Sequence, residues 1–290
     1  MSTNSLIETE PSVEELRLIL DGAIEVSIQA GEVISNAHRE AIQMDWGSAT
    51  NYKTVIDDQI DNLLRTELLG RFPDYGISSE EGEDIDGTGG YTWVVDALDG
   101  TISWRSGVTD NYSVSIGLVH NGQTIAGVVN CPGRNQVFAA VNGGGAFLNG
   151  EKVSVLDKPG RSWNKTLVAF GGGKEGPDFK RSDVVPYFGL FYEPAPGGVT
   201  EVMSTACSSV PLCLVASGQL GLAVYLSLED EDMAAATVIL REAGAIVTNL
   251  SGDTWTFGDK SIVAGHPDAH LEFMQRSALI RREQFDRNAK

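Results

Sequence analysis

Apolar residues at intervals of three and four positions mark two helices near the start of the chain. The first stripe runs through Leu16–Ile34 and follows Ser12–Glu15, which has the spacing of a capping box. The second stripe runs through Ile60–Leu68, and Gly70 and Pro73 should end it. The pattern therefore predicts a long amphipathic helix followed by a shorter one.

Short apolar runs between turn signals replace this pattern further along the chain. Strands are predicted at 75–79 and 91–95, and Asn121-Gly122 between two apolar runs is typical of a tight hairpin. Further strands of the same sheet are expected at 113–119, 124–129, 136–141 and 145–148. The first half of the chain should therefore be built mainly on antiparallel strands.

From about Arg161 onward, strand-like and helix-like runs alternate, which is typical of a layered α/β arrangement. Strands are predicted at 166–170, 222–226, 245–249 and 261–264. Helices are predicted at 210–217, 232–243 and 267 to about 286. We therefore expect an α+β half over residues 1–158 and an α/β half over residues 159–290.

Composition and charge narrow the class of function. The chain has 290 residues, of which 42% are hydrophobic, enough for one large core or two small domains. Its net charge of -19 argues against a nucleic-acid polymer or an anionic membrane as partner. There is no apolar run long enough for a membrane-spanning helix, and the N-terminal residues lack a signal-peptide pattern.

The three cysteines, Cys131, Cys207 and Cys213, lie among apolar or small residues and lack metal-ligand spacing. This pattern predicts buried free thiols, the usual state in a reducing cytoplasm. A cytoplasmic location is the matching expectation.

Three acidic stretches, far apart in sequence, are the candidate chemistry. They are Glu80-Glu81, the pair Asp96 and Asp99 after an apolar run, and 229–232 at the start of a predicted helix. Each alone could be solvated surface, and the third could be a helix start favoured by the helix dipole. Together they offer hard oxygen ligands from several elements, as Mg²⁺ requires.

Such ions could clamp a phosphate ester and activate a water molecule. Gly100 would let backbone N–H groups approach a phosphate closely, and the Thr101 hydroxyl could orient water. The sequence therefore favours metal-dependent phosphate chemistry.

In this order, the acidic stretches resemble the motifs of the inositol monophosphatase superfamily of Mg²⁺-dependent, Li⁺-sensitive phosphatases. The matching segments are 79–81, 96–101 after Trp93, and 231–235, with support from 114–117, 144–150 and 241–245. The likeness extends from about residue 10 to 275. It implies an α/β (α+β) chain folded as a five-layered αβαβα sandwich, and a homodimer.

The resemblance also implies roles for individual residues. The implied metal ligands, for two or three Mg²⁺ ions with Mn²⁺ as a substitute, are Glu80, Asp96, the Leu98 carbonyl, Asp99 and Asp232. By the same resemblance Asp57 and Thr101 position and deprotonate the attacking water, and Glu81 supports a water on the metal. Asp58, one residue after Asp57, stays an alternative to it.

Departures from the family pattern concern mainly the substrate side. Ala97, Ile102, Ser103 and Glu231 replace a proline, a threonine, an asparagine and a tryptophan, without removing a ligand. The positions of a hydroxyl-gripping glutamate and an arginine fall at Tyr225 and Met203.

We expect Asp99, Tyr225 and Met203 to border the substrate. Tyr225 could contact a base or a sugar face, or could fill core. The implied substrate is a sugar, cyclitol, histidinol or nucleotide phosphate. Its leaving group could meet a cation from a set of four: Arg105, Lys174, Lys180 and Arg181.

Two other functions remain open on sequence alone. A haloacid-dehalogenase-type phosphatase also ends a strand in aspartates, but it needs Asp-x-Asp with an aspartyl nucleophile, whereas Asp96 and Asp99 are three apart. A non-catalytic acidic protein that binds metal or phosphate is the second alternative.

Overall fold

The computed structural model describes residues 11–38, 42–43, 53–158, 162–173, 179–193 and 197–282. The long helix predicted at the start is confirmed as α1, Val13–Asn36, with the capping box of Ser12 and Glu15 formed as expected. The seven named helices are α1 (Val13–Asn36), α2 (Val55–Arg71), α3 (Thr101–Ser106), α4 (Val184–Phe191), α5 (Ser209–Ala216), α6 (Asp230–Glu242) and α7 (Pro267–Arg276).

Two sheets divide the strands between them. The seven-stranded sheet has the order β1-β2-β3-β4-β5-β6-β7, antiparallel except for the parallel pair β1–β2. Its strands are β1 (Gly76–Ser79), β2 (Tyr91–Asp99), β3 (Ser113–His120), β4 (Gln123–Cys131), β5 (Gln136–Val141), β6 (Gly145–Leu148) and β7 (Glu151–Val153).

The five-stranded sheet is mixed, with the order β11-β12-β10-β8-β9. Its strands are β8 (Leu167–Gly171), β9 (Glu201–Met203), β10 (Leu222–Tyr225), β11 (Ile246–Thr248) and β12 (Ile262–Gly265). Side chains alternate across it: Val168 and Phe170 pack with α4 and α7, whereas Ala169 faces the cluster that contains α5 and α6.

The layers follow from three apolar clusters. One joins α1 and α2 to the first sheet, the second joins α5 and α6 to both sheets, and the third joins the second sheet to α4 and α7. The expected five-layered αβαβα sandwich is thereby confirmed. Each helix layer buries an apolar face that its own residues cannot cover alone.

Several elements differ from the sequence predictions. Strands β7 and β9 and helices α3 and α4 were not predicted, and β2 continues past residue 95 to Asp99. The predicted final helix is interrupted at Ser277, and its predicted end, 283–286, lies outside the described residues. Strands β7 and β9 have too few residues to show an alternation of apolar and polar positions. Helix α4 is apolar on nearly every side and therefore has no apolar stripe at helical spacing.

Other expectations can be compared directly. The hairpin at Asn121-Gly122 is confirmed, with φ of 50° and 71° at the two turn residues. All three cysteines are free and buried. Within the described ranges, the helices are too short or too polar to cross a bilayer.

Two glycines let α6 lie directly on the first sheet. A Cβ at Gly127 of β4 would lie 2.7 Å from the Ala235 carbonyl oxygen, and one at Gly117 of β3 would lie 3.0 Å from the Ala234 Cβ. The distance at Gly127 is too short for any side chain, so this position requires glycine, and at Gly117 a side chain would force α6 to shift by a few tenths of an ångström. The start of α6 carries Asp232, and the glycines therefore help to set where that carboxylate lies.

Gly127→Ala should destabilise the protein by on the order of 1–3 kcal/mol, because the added methyl group overpacks the contact between β4 and α6. Gly70→Ala in α2 is the matched control, since a Cβ there meets no atom within 4 Å. That control should stabilise the fold by about 0.5–1 kcal/mol. Urea denaturation of both variants measures the difference. Equal effects in the two variants would contradict the close packing of α6.

Candidate metal centre

A bulge at the end of β2 brings the first two carboxylates together. Asp96 pairs with Ser115 and Asp99 with Ser113, so three steps along β2 match two steps along β3. In a regular strand, residues three apart point to opposite faces. The extra residue in the bulge removes this mismatch, and both aspartates can face the same side.

Asp232 joins them from the start of α6. Its Oδ2 accepts a hydrogen bond of 2.9 Å from the Glu229 backbone N–H, which closes a capping box at the helix N-terminus. Asp96, Asp99 and Asp232 each offer a carboxylate oxygen, and these oxygens lie within 4.8 Å of one another. The first sheet and α6 thus form a cluster of three carboxylates.

The electrostatics of this cluster favour a cation. Burial raises the pKa of Asp96 well above its usual value, and the nearby charges of Asp99, Glu80 and Asp232 raise it further. Mutual repulsion of this kind is relieved when a divalent cation binds between the oxygens. The donors are hard oxygens, which suit Mg²⁺ or Mn²⁺, so the residues present fit such an ion.

Asp99 is held by the segment that begins α5. Its Oδ2 accepts hydrogen bonds from the Ser209 backbone N–H at 2.7 Å and from the Ser209 hydroxyl at 2.5 Å. The Ser208 backbone N–H and the Cys207 thiol add bonds of 3.0 and 3.2 Å. Several donors on one buried oxygen fix the orientation of the Asp99 carboxylate.

A second buried pair lies at the start of α2. Asp57 Oδ2 accepts bonds from the Thr54 backbone N–H at 2.8 Å and the Thr54 hydroxyl at 2.6 Å, as in a capping box. Its other oxygen, Oδ1, lies 2.9 Å from the Thr101 hydroxyl, which also lies 3.0 Å from the Leu98 carbonyl oxygen. Burial raises the pKa of Asp57, although these hydrogen bonds oppose the shift.

The loop after β1 carries the remaining acids. Glu80 is exposed but close enough to raise the pKa of Asp96. Glu81 is half-buried, and burial raises its pKa, while the ammonium of Lys53, 3.0 Å from Glu81 Oε2, opposes that rise. The sequence-predicted acids from three separate stretches therefore lie in one region, together with a lysine that the sequence had not indicated.

The two substrate-side positions differ in environment. Tyr225 is buried, and its hydroxyl donates to the Cys207 carbonyl oxygen at 3.1 Å, as expected of the core-filling alternative. Met203 is half-buried, and its sulfur lies 3.8 Å from the Asn111 side-chain nitrogen. The Asn111 side-chain oxygen in turn accepts a bond of 3.3 Å from Arg134, so a guanidinium lies near position 203.

The surroundings of the four cations predicted to meet the leaving group give little support for that role. The Arg105 Nε donates to the Ile42 carbonyl oxygen at 2.5 Å. The Lys180 backbone N–H donates to Asp183, and its side chain is exposed. Lys174 and the side chain of Arg181 lie outside the described residues, so their predicted role stays a prediction.

Sequence reasoning had not indicated several groups at this site: Lys53, Asn111, Arg134, Ser208 and Ser209. Their contacts join residues far apart in the chain, for example 108 to 110 positions between Asp99 and its donors. A local pattern does not reveal such contacts. The one available signal was the expectation, from the family resemblance, that Met203 takes the place of an arginine, which should prompt a search for another cation.

Comparisons with known proteins give the relatives of the chain. A profile described as the inositol monophosphatase family matches residues 15–281. The Rhizobium meliloti inositol-1-monophosphatase is 29% identical over 251 residues, covering 86% of this chain and 91% of the relative. The Pseudomonas aeruginosa Nus factor SuhB is 30% identical over 253 residues, covering 86% and 91%. Among solved structures, a Thermotoga maritima IMPase matches with a TM-score of 0.78 at 26% identity, covering 91% of this chain and 98% of that one.

Asp96→Asn should stabilise the metal-free protein, because it removes a charge from a buried cluster of like charges. An amide oxygen can still accept the 2.9 Å bond from the Leu98 N–H. We expect a gain on the order of 1 kcal/mol in the free energy of unfolding. Calorimetry in EDTA measures it, with the exposed Asp110→Asn as a control that should change little.

Millimolar Mg²⁺ should reverse the order, since the wild-type protein gains more from a cation than a variant that lacks one ligand. A loss of stability for Asp96→Asn in EDTA would contradict the repulsion within the cluster.

Proposed function

The chain belongs to the inositol monophosphatase family, and we propose that it is a Mg²⁺-dependent phosphatase that hydrolyses a small phosphomonoester. The observation that supports this most is the 2.9 Å contact between the Thr101 hydroxyl and Asp57, beside a cluster of three carboxylates. A cation-binding site alone would not need that pair. Hydrolysis needs both charge neutralisation and an oriented water.

We propose that the ions are held by the four carboxylates Glu80, Asp96, Asp99 and Asp232 together with the Leu98 carbonyl. Bound there, Mg²⁺ would neutralise charge on the phosphate and lower the pKa of water. Asp96 and Asp99 approach from β2, Asp232 from α6 and Glu80 from the loop after β1. A closed set from several rigid elements would fix the distance between the ions and the phosphate.

Thr101 and Asp57 would act on the attacking water. When the Thr101 hydroxyl donates a hydrogen bond to Asp57, its oxygen can accept a hydrogen bond from the water and so orient it. As the water attacks, its proton would pass to the Thr101 oxygen while the Thr101 hydroxyl proton passes to Asp57. The capping box with Thr54 holds the carboxylate still, and burial raises its pKa towards the range of a useful proton acceptor. We propose that Glu81 supports a second water.

Gly100 sets the turn that leads from β2 into α3. Its φ of 89° is left-handed, and a Cβ there would lie 2.8 Å from the Asn111 carbonyl oxygen. Only glycine meets both conditions without strain. We propose that the backbone N–H groups after this turn contact the phosphate.

Two alternatives predict different behaviour. Some relatives are named Nus factor SuhB, and a protein acting only by binding a partner would not depend on the pair formed by Thr101 and Asp57. An aspartyl-nucleophile phosphatase would need Asp-x-Asp, whereas Asp96 and Asp99 are three apart. The contact between the Thr101 hydroxyl and Asp57, which can act on a water molecule, supports water as the nucleophile.

Asp57→Asn should lower kcat by on the order of 10²–10⁴, because the water loses its proton acceptor. KM and Mg²⁺ binding should change little, since Asp57 is not among the proposed ligands. Thr101→Ser should retain far more activity than Thr101→Val, because only serine keeps the hydroxyl. Steady-state release of phosphate from a panel of phosphomonoesters, with Mg²⁺ titration, measures all three. Near-normal turnover by folded Asp57→Asn would contradict the proposed role of Asp57 as proton acceptor.

We propose that inositol 1-phosphate is a poor substrate, because the family resemblance puts Tyr225 and Met203 at the positions where charged groups would grip ring hydroxyls. We expect its kcat/KM to lie at least about tenfold below that of the best member of a panel of sugar, amino-alcohol and nucleotide phosphates. Met203→Arg should raise use of cyclitol phosphates, with Met203→Leu as the size-matched control. A wild-type preference for inositol 1-phosphate over every other compound would overturn this interpretation and leave the metal site untouched.

A further inference from the structure

Lys53 is a cation beside the proposed water-activating residues, to which the proposed reaction assigns no role. Its Nζ lies 3.0 Å from Glu81 Oε2 and 2.9 Å from Asp58 Oδ1. The Glu81 side chain is 11% exposed, against 49% for Asp58. The contact with Glu81 is therefore the one made in a partly desolvated place, where an ion pair has more effect than on open surface.

Glu81 is a largely buried acid with acidic neighbours. It follows Glu80, a proposed metal ligand, and Asp57 lies close enough for its charge to act on Glu81. A carboxylate in such a place is stabilised by an adjacent cation, and the Lys53 Nζ, 3.0 Å from Glu81 Oε2, supplies one.

The start of α2 fixes Lys53 in this place. Lys53 precedes the N-cap residue Thr54, which is bonded to Asp57, while Lys53 itself is bonded to Asp58. The adjacent residues Lys53 and Thr54 thus contact the adjacent acids Asp58 and Asp57, respectively. The helix start that orients Asp57 towards Thr101 also directs the ammonium to Glu81.

We propose that Lys53 is a built-in counter-cation for Glu81. Its ammonium group occupies the position where a further divalent ion would otherwise bind. Bound ions are then limited to those that Glu80, Asp96, Asp99 and Asp232 hold. The inference rests on the proposed function in that it assumes the metal centre. The inference goes beyond the proposed function because it assigns the positive charge beside Glu81 to the Lys53 side chain, where a metal ion from solution could otherwise supply it.

The same contacts explain why a lysine can serve here. An ammonium carries one charge and does not lower the pKa of a neighbouring water as a divalent metal ion does, so it neutralises Glu81 without generating a competing nucleophile. It also stays in place when the free Mg²⁺ concentration falls. Loss of this charge should make Glu81 and Asp58 available to a metal ion.

The test measures metal binding by isothermal titration calorimetry, with Mn²⁺ titrated into protein from which metal has been removed with EDTA and the EDTA then dialysed away. Lys53→Met should bind one additional Mn²⁺ per chain, or bind the weakest ion about tenfold more tightly or better, because a repelling charge has gone. Lys53→Arg should match wild type. Arg71→Met is the control for charge loss, since Arg71 pairs with Glu25 in an ion pair outside the site.

The double variant Lys53→Met with Glu81→Gln decides whether the effect runs through Glu81. It should return to the wild-type stoichiometry, because no uncompensated Glu81 charge remains. Thermal shifts on adding Mn²⁺ to the same proteins give a second readout, and Lys53→Gln replaces Lys53→Met should the latter fail to fold.

Unchanged stoichiometry and affinity in folded Lys53→Met would overturn the inference, as would an equal gain in Arg71→Met. In either case the phosphatase proposal stands if wild type binds Mn²⁺ and Asp57→Asn is inactive. Absence of Mn²⁺ binding to wild type and variant alike would overturn both proposals.

Discussion

Like charges held together out of water are the constraint that the rest of this structure serves. Asp96, Asp99 and Asp232 place carboxylate oxygens within 4.8 Å of one another, and burial of Asp96 adds to the repulsion. Carboxylates in free solution would separate or take up protons. The protein prevents separation by anchoring the acids to two rigid elements, Asp96 and Asp99 to β2 and Asp232 to α6. A bound cation would remove the need for the acids to take up protons.

The anchors follow one rule, which is that each acid is fixed by hydrogen bonds to backbone or hydroxyl donors. Asp232 and Asp57 close capping boxes at the starts of α6 and α2. Asp99 accepts donors from the start of α5, and Asp96 accepts the Leu98 N–H. The sandwich brings these helix starts to the C-terminal end of β2, so the layered fold and the acidic site are parts of a single arrangement.

The sequence was enough for the layers because long helices and hairpins have periodic signals. The stripe of α1 and the Asn121-Gly122 turn are both where the pattern predicted them. The bulge in β2 could not be predicted, since nothing in Asp96–Asp99 shows that three residues will match two. Lys53 and Arg134 escaped for a related reason, because their partners are 28 and 23 positions away and no local rule connects them.

The capping boxes at α2 and α6 tie helix ends to the chemistry. Helix termini ordinarily fray, opening and closing far more often than the rest of the fold. Here the residue that satisfies the first turn is also a member of the site, so each opening event would dismantle the site as well. The amide hydrogens of Thr54 and Glu229, both bonded to site carboxylates, would exchange with solvent deuterium at rates that report how often the acids disengage. Binding of a metal ion would then change the exchange rates at the starts of α2 and α6, which lie on opposite sides of the first sheet.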